Sequence, residues 1–162
     1  MRDLVAGLVA VILLLAAASL ATTLTGYRKR RQRARDSERA LGRMLIAELP
    51  ISDELVLVSQ DDHRFYYGDQ SIDKDLITAV RVLINGSPIA AYVSRRHRVT
   101  DLRATSFEDR PEGIARDRWD VAVETLRGTT LIECGAIRER VSQELARTIF
   151  DAIRSDLERR DQ

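Results

Sequence analysis

Residues 4–25 carry no charge, and residues 28–35 read RKRRQRAR. No other feature restricts the chain as much. At 1.5 Å rise per residue the uncharged run makes a helix roughly 33 Å long, enough to cross a hydrocarbon core of about 30 Å. A helix packed on a protein core keeps one polar face, whereas a helix apolar on every side for this length suits lipid. Small residues (Ala16, Ala17, Ala18, Ser19, Ala21) gather in its second half and permit close helix–helix approach, although no GxxxG pair is present. Tyr27 stands where an interfacial aromatic would sit.

The flanks give an orientation. The first three residues hold one Arg and one Asp, while the far side holds Arg28, Lys29, Arg30, Arg31, Arg33 and Arg35. Excess positive charge stays in the cytoplasm, so the expected arrangement is a single-pass anchor in the inner (plasma) membrane with a cytoplasmic C-terminal part. The six cations are also expected to contact the anionic membrane surface, at around 1 kcal/mol each. A cleaved signal peptide is the competing reading, with Ser19-Leu20-Ala21 as a small-x-small cleavage pattern. A barely positive N-terminus and an apolar run that continues past that pattern into dense positive charge weigh against it.

Beyond the basic collar about one domain's worth of chain remains, long enough to bury its own core. Setting aside Arg2, Asp3 and the six collar cations leaves 19 basic and 24 acidic side chains, a net charge of about −5. The near-neutral whole-chain value of +1 therefore conceals a +6 collar beside an acidic domain. An acidic domain argues against a nucleic-acid partner, because phosphate binding wants a positive surface. Cys134 is the only cysteine, so neither an intramolecular disulfide nor a multi-cysteine metal site can form.

Three divisions follow: an anchor over 1–27, a basic stalk helix over 28–50, and a soluble α+β domain over 51–162. The stalk rests on Ala40, Leu41, Met44, Leu45 and Leu49 at helical spacing, with Pro50 as its stop. Short β-type runs come next. Residues 54–59 and 63–67 flank a polar turn. Residues 68–75 read as a loop. Residues 76–84 read as a strand, with a helix over 72–83 as the rival. Asn85-Gly86 is a strong hairpin signal, and 88–94 returns. Residues 99–107 suggest a further strand and 109–117 a surface loop. Residues 119–126 and 129–134 form a third hairpin around Arg127-Gly128. From Ala136 the period becomes helical: Ile137, Val141, Leu145, Ile149, Ile153 and Leu157 recur every four residues.

The expected fold is thus an antiparallel six- to seven-stranded sheet or partial barrel packed by a C-terminal amphipathic helix. That order of elements is similar to the pleckstrin-homology-like barrel, in which a helix plugs one end of seven strands. The similarity covers roughly residues 54–160 and is one of element order.

No catalytic constellation stands out. Asp61-Asp62-His63 suits a turn better than a metal site, and Asp69, Asp73 and Asp75 lack the Gly and Glu of a calcium loop. Cys134 reads as a buried, inert thiol. No cofactor or metal is expected. The sharper candidate is Arg95, Arg96 and Arg98 around His97, a basic loop after a strand that suits an anion or a lipid headgroup. On the pleckstrin-like analogy, a basic inter-strand loop is a lipid-contact position. These features point to a non-catalytic, membrane-anchored binding module with a protein or lipid partner. The alternative is an accessory or assembly subunit of a larger membrane complex, with contacts made by the small residues of the anchor and the C-terminal helix.

Overall fold

The computed structural model describes residues 2–51, 54–96 and 117–162, and within the first helix the side chains at 12–16, 19, 26 and 28–40. The expected strand at 99–107 and most of the loop at 109–117 lie outside the described residues. The chain divides into two compact units, residues 1–41 and 42–162.

The first unit is one helix, α1 (Arg2–Ala40). It carries the apolar run and the basic collar without a break. Ile12, Leu13, Leu14 and Leu15 are 56%, 64%, 71% and 66% exposed. Successive helical residues turn by about 100°, so these four point to every side, and none of those sides is covered by the chain itself. Among the described residues no helix is long and apolar enough to cross a membrane, and of the run at 4–25 only the side chains at 12–16 and 19 are described.

The second unit is α+β. It contains two antiparallel four-stranded sheets and a C-terminal helix. The first sheet is a meander of β1 (Met44–Ile51), β2 (Glu54–Gln60), β3 (Arg64–Tyr67) and β4 (Gln70–Asp73). The second has the order β6-β5-β7-β8, from β5 (Ile77–Ile84), β6 (Ser87–Val93), β7 (Arg118–Thr125) and β8 (Gly128–Ala136). A 3-10 turn, Lys74–Leu76, links the sheets. The expected single sheet or barrel is therefore corrected: the strands form two sheets, and neither closes.

The stalk helix is shorter than expected. It ends at Ala40, and residues 44–51 form β1 instead of a helix. Gly42 has φ 73°, a left-handed conformation that stops a helix at little cost. In β1 the buried Ala47 and Leu49 alternate with Glu48 and Pro50. Pro50 is tolerated because β1 is an edge strand, where a missing N–H breaks no ladder on the open side. The polar segment 68–75 is likewise not a plain loop, since Gln70–Asp73 pairs with β3.

The hairpin signals hold elsewhere. Asn85 (φ 51°) and Gly86 (φ 81°) form a two-residue turn between Ile84 and Ser87, both central residues having the positive φ of a type I′ turn. The Asn85 Oδ1 also accepts the Asp117 and Arg118 N–H groups at 2.6 and 3.2 Å, which fastens this turn to the start of β7. β5 is a strand through Ile77–Ile84, as its β-branched residues suggest.

The helix α2 (Arg140–Arg160) packs on β1, β5, β7 and β8. A single apolar core joins Leu49, Val58 and Phe65 of the first sheet, Val80, Val121 and Ile132 of the second, and Ile149, Ile153 and Leu157 of α2. Val141 departs from the expected apolar stripe and is 60% exposed. The exposed pairs Arg140–Glu144 and Arg154–Glu158 form at 3.1 and 2.7 Å.

Candidate functional site

Strand register gathers many of the domain's cations at one pole. In the first sheet Met44 pairs with Gln60 and Arg64 with Asp73, so the β2–β3 turn sits at the end where the chain enters from Gly42. In the second sheet Ile77 pairs with Thr125 and Ala79 with Val93, which places the β7–β8 turn and the end of β6 together. Backbone bonds join these ends: Lys74 N–H to His63 O at 2.9 Å and Leu126 N–H to Leu76 O at 3.1 Å. The C-terminus of α2 closes the pole through Arg160, which donates to Asp62 O at 3.3 Å and to the Asp75 carboxylate.

Of the expected loop, Arg95 and Arg96 are at this pole and exposed. Arg98, with His97, lies outside the described residues. Asp161 holds the start of the loop. It accepts the Arg95 N–H at 2.9 Å, the Ser94 hydroxyl at 2.8 Å and the Tyr92 hydroxyl at 3.0 Å. Burial opposes its charge, but these hydrogen bonds outweigh burial and hold its carboxyl below the ordinary range. The collar residues Arg28, Lys29, Arg30, Arg31 and Arg33 are exposed on α1, and Arg35 is half-buried.

The pole also holds residues that no local motif marks. Arg43 stacks 3.6 Å from the centroid of the Tyr66 ring. Lys74 is only 3% exposed. Its Nζ donates to Gln60 Oε1 at 3.0 Å and to Asp156 Oδ1 at 3.2 Å, and lies 4.6 Å from the Phe65 ring centroid. Asp156, equally buried, also receives Arg159 on Oδ1 at 2.6 Å. Arg160 Nε lies 2.8 Å from Oδ2, an ion pair without the alignment of a hydrogen bond. One signal for Lys74 was present in the sequence: it is the domain's only lysine in an arginine-rich chain. A compact ammonium fits a narrow buried slot that a planar guanidinium does not.

Asp61 works as a turn residue. Its Oδ1 accepts the His63 and Arg64 N–H groups at 2.8 and 2.7 Å, and its Oδ2 accepts the Tyr66 hydroxyl at 2.7 Å. The Tyr66 bond is the largest influence, burial opposes it, the backbone N–H groups add to it, and the carboxyl is held at about 2. The folded-state pKa lies below the unfolded value of 3.8, so this stabilisation is complete above about pH 4 and is lost as pH falls toward 2. The expected result is that wild type loses more stability than Asp61→Asn between pH 4 and pH 2, measured by urea unfolding at each pH.

Cys134 is 3% exposed, and burial first, then the neighbouring charge of Asp120, pushes its thiol up to about 12. It is therefore protonated at neutral pH. A thiol reagent at pH 8 should label native protein no faster than the domain unfolds, and should label fully in denaturant. Among the described residues no three His, Cys, Asp or Glu side chains come together as a metal site.

A cleft of about 370 Å³ opens at the same pole, between the β4 edge with its 3-10 turn and the β7–β8 turn. Arg64 and Asp73 line one wall, Arg127 and Thr129 the other. No family model, curated protein or solved structure matches the chain.

Proposed function

We propose that the chain is a single-span membrane protein: α1 is the anchor, the collar from Arg28 to Arg35 lies on the cytoplasmic membrane surface, and the folded unit is a non-catalytic binding module. The observation that carries this reading is the exposure of Ile12 through Leu15 on all sides of a helix that runs directly into exposed cations. Leaving four large apolar side chains in water forfeits roughly 1.5–3 kcal/mol each, a cost that lipid removes. Arg95 and Arg96 then serve as anion contacts of that module.

The test has two parts. Full-length protein should stay in the membrane pellet after carbonate extraction. A C-terminal alkaline phosphatase fusion should be inactive while a C-terminal fluorescent protein fusion is bright. Extraction into the supernatant, or an active phosphatase, would sink this arrangement. The exposed Ala16 beside Leu15 also suits the accessory-subunit reading, in which α1 packs on a partner helix. Co-purification of a stoichiometric membrane partner in mild detergent would favour it.

A further inference from the structure

Several acidic side chains at the basic pole are already engaged within the domain. Asp61 holds its turn, Asp75 pairs with Arg160, Asp156 faces Lys74, and Asp161 holds the end of β6. Asp73 uses Oδ1 to accept the Asp75 N–H at 3.0 Å. Arg64 stands directly across the ladder from Asp73, yet no ion pair joins them. Neither Arg64 nor Arg127 forms an ion pair with another described residue, in contrast to Lys74, Arg81, Arg118 and Arg160. Both of these arginines are among the residues that line the 370 Å³ cleft, one from each wall.

Apart from Asp73, its one carboxylate, the rest of the lining suits an anion with several oxygens. Ser71, Thr129 and Thr130 bring hydroxyl groups, while Ile72 and Leu76 contribute apolar surface. Two guanidinium groups plus hydroxyl donors match a tetrahedral, doubly charged group better than a planar carboxylate, which one arginine fork already satisfies. Leu126, at the tip of the β7–β8 turn beside Arg127, is 63% exposed. An apolar tip next to cations is suited to the headgroup boundary of a bilayer.

We propose that this cleft binds a phosphate monoester, with Arg64 and Arg127 clamping it from the two walls. This rests on the reading of the folded unit as a binding module and specifies its ligand chemistry. Such a group is carried by phosphorylated lipid headgroups and by soluble phosphate esters.

Two arms separate the sources, both using the full chain. In the first, protein in uncharged detergent micelles is titrated calorimetrically with glycerol 3-phosphate. In the second, protein is reconstituted in phosphatidylcholine nanodiscs with or without a few per cent phosphatidylinositol 4-phosphate, and hydrogen exchange is followed at residues 125–130. Arg64→Gln and Arg127→Gln should each weaken the response roughly tenfold, the loss expected for one charged hydrogen-bonding group. Arg147→Gln should stay within about twofold, because that side chain is 84% exposed on α2 and does not line the cleft. Unfolding followed by Trp119 fluorescence confirms that each variant folds, and Arg64→Lys should retain part of the binding. Glycerol 3-phosphate binding with this pattern supports the proposal with a soluble source. Protection at 125–130 by the phosphoinositide alone supports it with a lipid source. Silence in both arms, or a response that Arg64→Gln and Arg127→Gln leave unchanged, overturns it. Carbonate extraction is unaffected by either result, so failure of the cleft and failure of the anchor are told apart.

Discussion

Asp156→Ala should lower the unfolding free energy by about 3–5 kcal/mol, whereas Lys74→Met should cost under about 2 kcal/mol. The asymmetry comes from what each change leaves behind. Without Asp156, the ammonium of Lys74 stays 3% exposed, with Gln60 Oε1 as its one described hydrogen-bonding partner and the Phe65 ring beside it. An unpaired buried charge is among the most destabilising outcomes of a single substitution. Without Lys74, Asp156 keeps Arg159 at 2.6 Å and Arg160 at 2.8 Å, and methionine fills the vacated slot with apolar atoms. Urea unfolding followed by the fluorescence of Trp119, the chain's single tryptophan, provides the measurement. Equal losses in the two variants would show that the carboxylate and the ammonium depend on each other alone.

Ile149→Ala should cost about 2–5 kcal/mol, while Val141→Ala should change stability by less than about 0.5 kcal/mol. Both residues belong to the same every-fourth-residue series in the sequence. Four residues on an α-helix turn about 400°, so each step drifts roughly 40° around the axis. The buried side of α2, marked by Ala146, Ile149, Phe150, Ile153 and Leu157, lies far enough along this drift to leave Val141 outside it. Ile149 is 0% exposed and Val141 60%. Truncating the first opens a cavity in the shared core, and truncating the second removes methyl groups from solvent. Thermal or urea unfolding of the two variants, side by side, tests the assignment of faces.

Local signals in the sequence carried most of the strands. Asn85-Gly86 dictates its turn because two consecutive positive φ angles are cheap only for such residues. Alternation over 119–126 is enough to make β7. Residues 41–49 misled for a simple reason. Leu41, Met44, Leu45 and Leu49 fit a helical period, but Leu45, Ala47, Leu49 and Ile51 also fit a period of two. Gly42 and pairing with β2 decide between them. The polar β4 carries little apolar pattern of its own and exists because β3 is there to pair with. Whether the strands form one barrel or two sheets depends on contacts between residues far apart in sequence, which no local pattern records. The site was legible only in part. Arg95 and Arg96 announce themselves as a run, but Arg64 and Arg127 are isolated in the chain, belong to different sheets and come to one cleft only in the folded domain.

The contact between Lys74 and Asp156 spans 82 residues of sequence. The 3-10 turn that follows the first sheet thus carries a charge that finds its partner only when the last turns of α2 arrive. Contacts of such long range must first overcome the entropy of closing the intervening loop, so they form late and make folding slow. The first four strands are therefore not expected to persist as an independent intermediate while the chain is being synthesised. They wait for the second sheet and α2, and the unit locks in one cooperative step. Any cellular process that exposes the domain before α2 emerges would meet an open, chaperone-accessible sheet edge at β1 or β4.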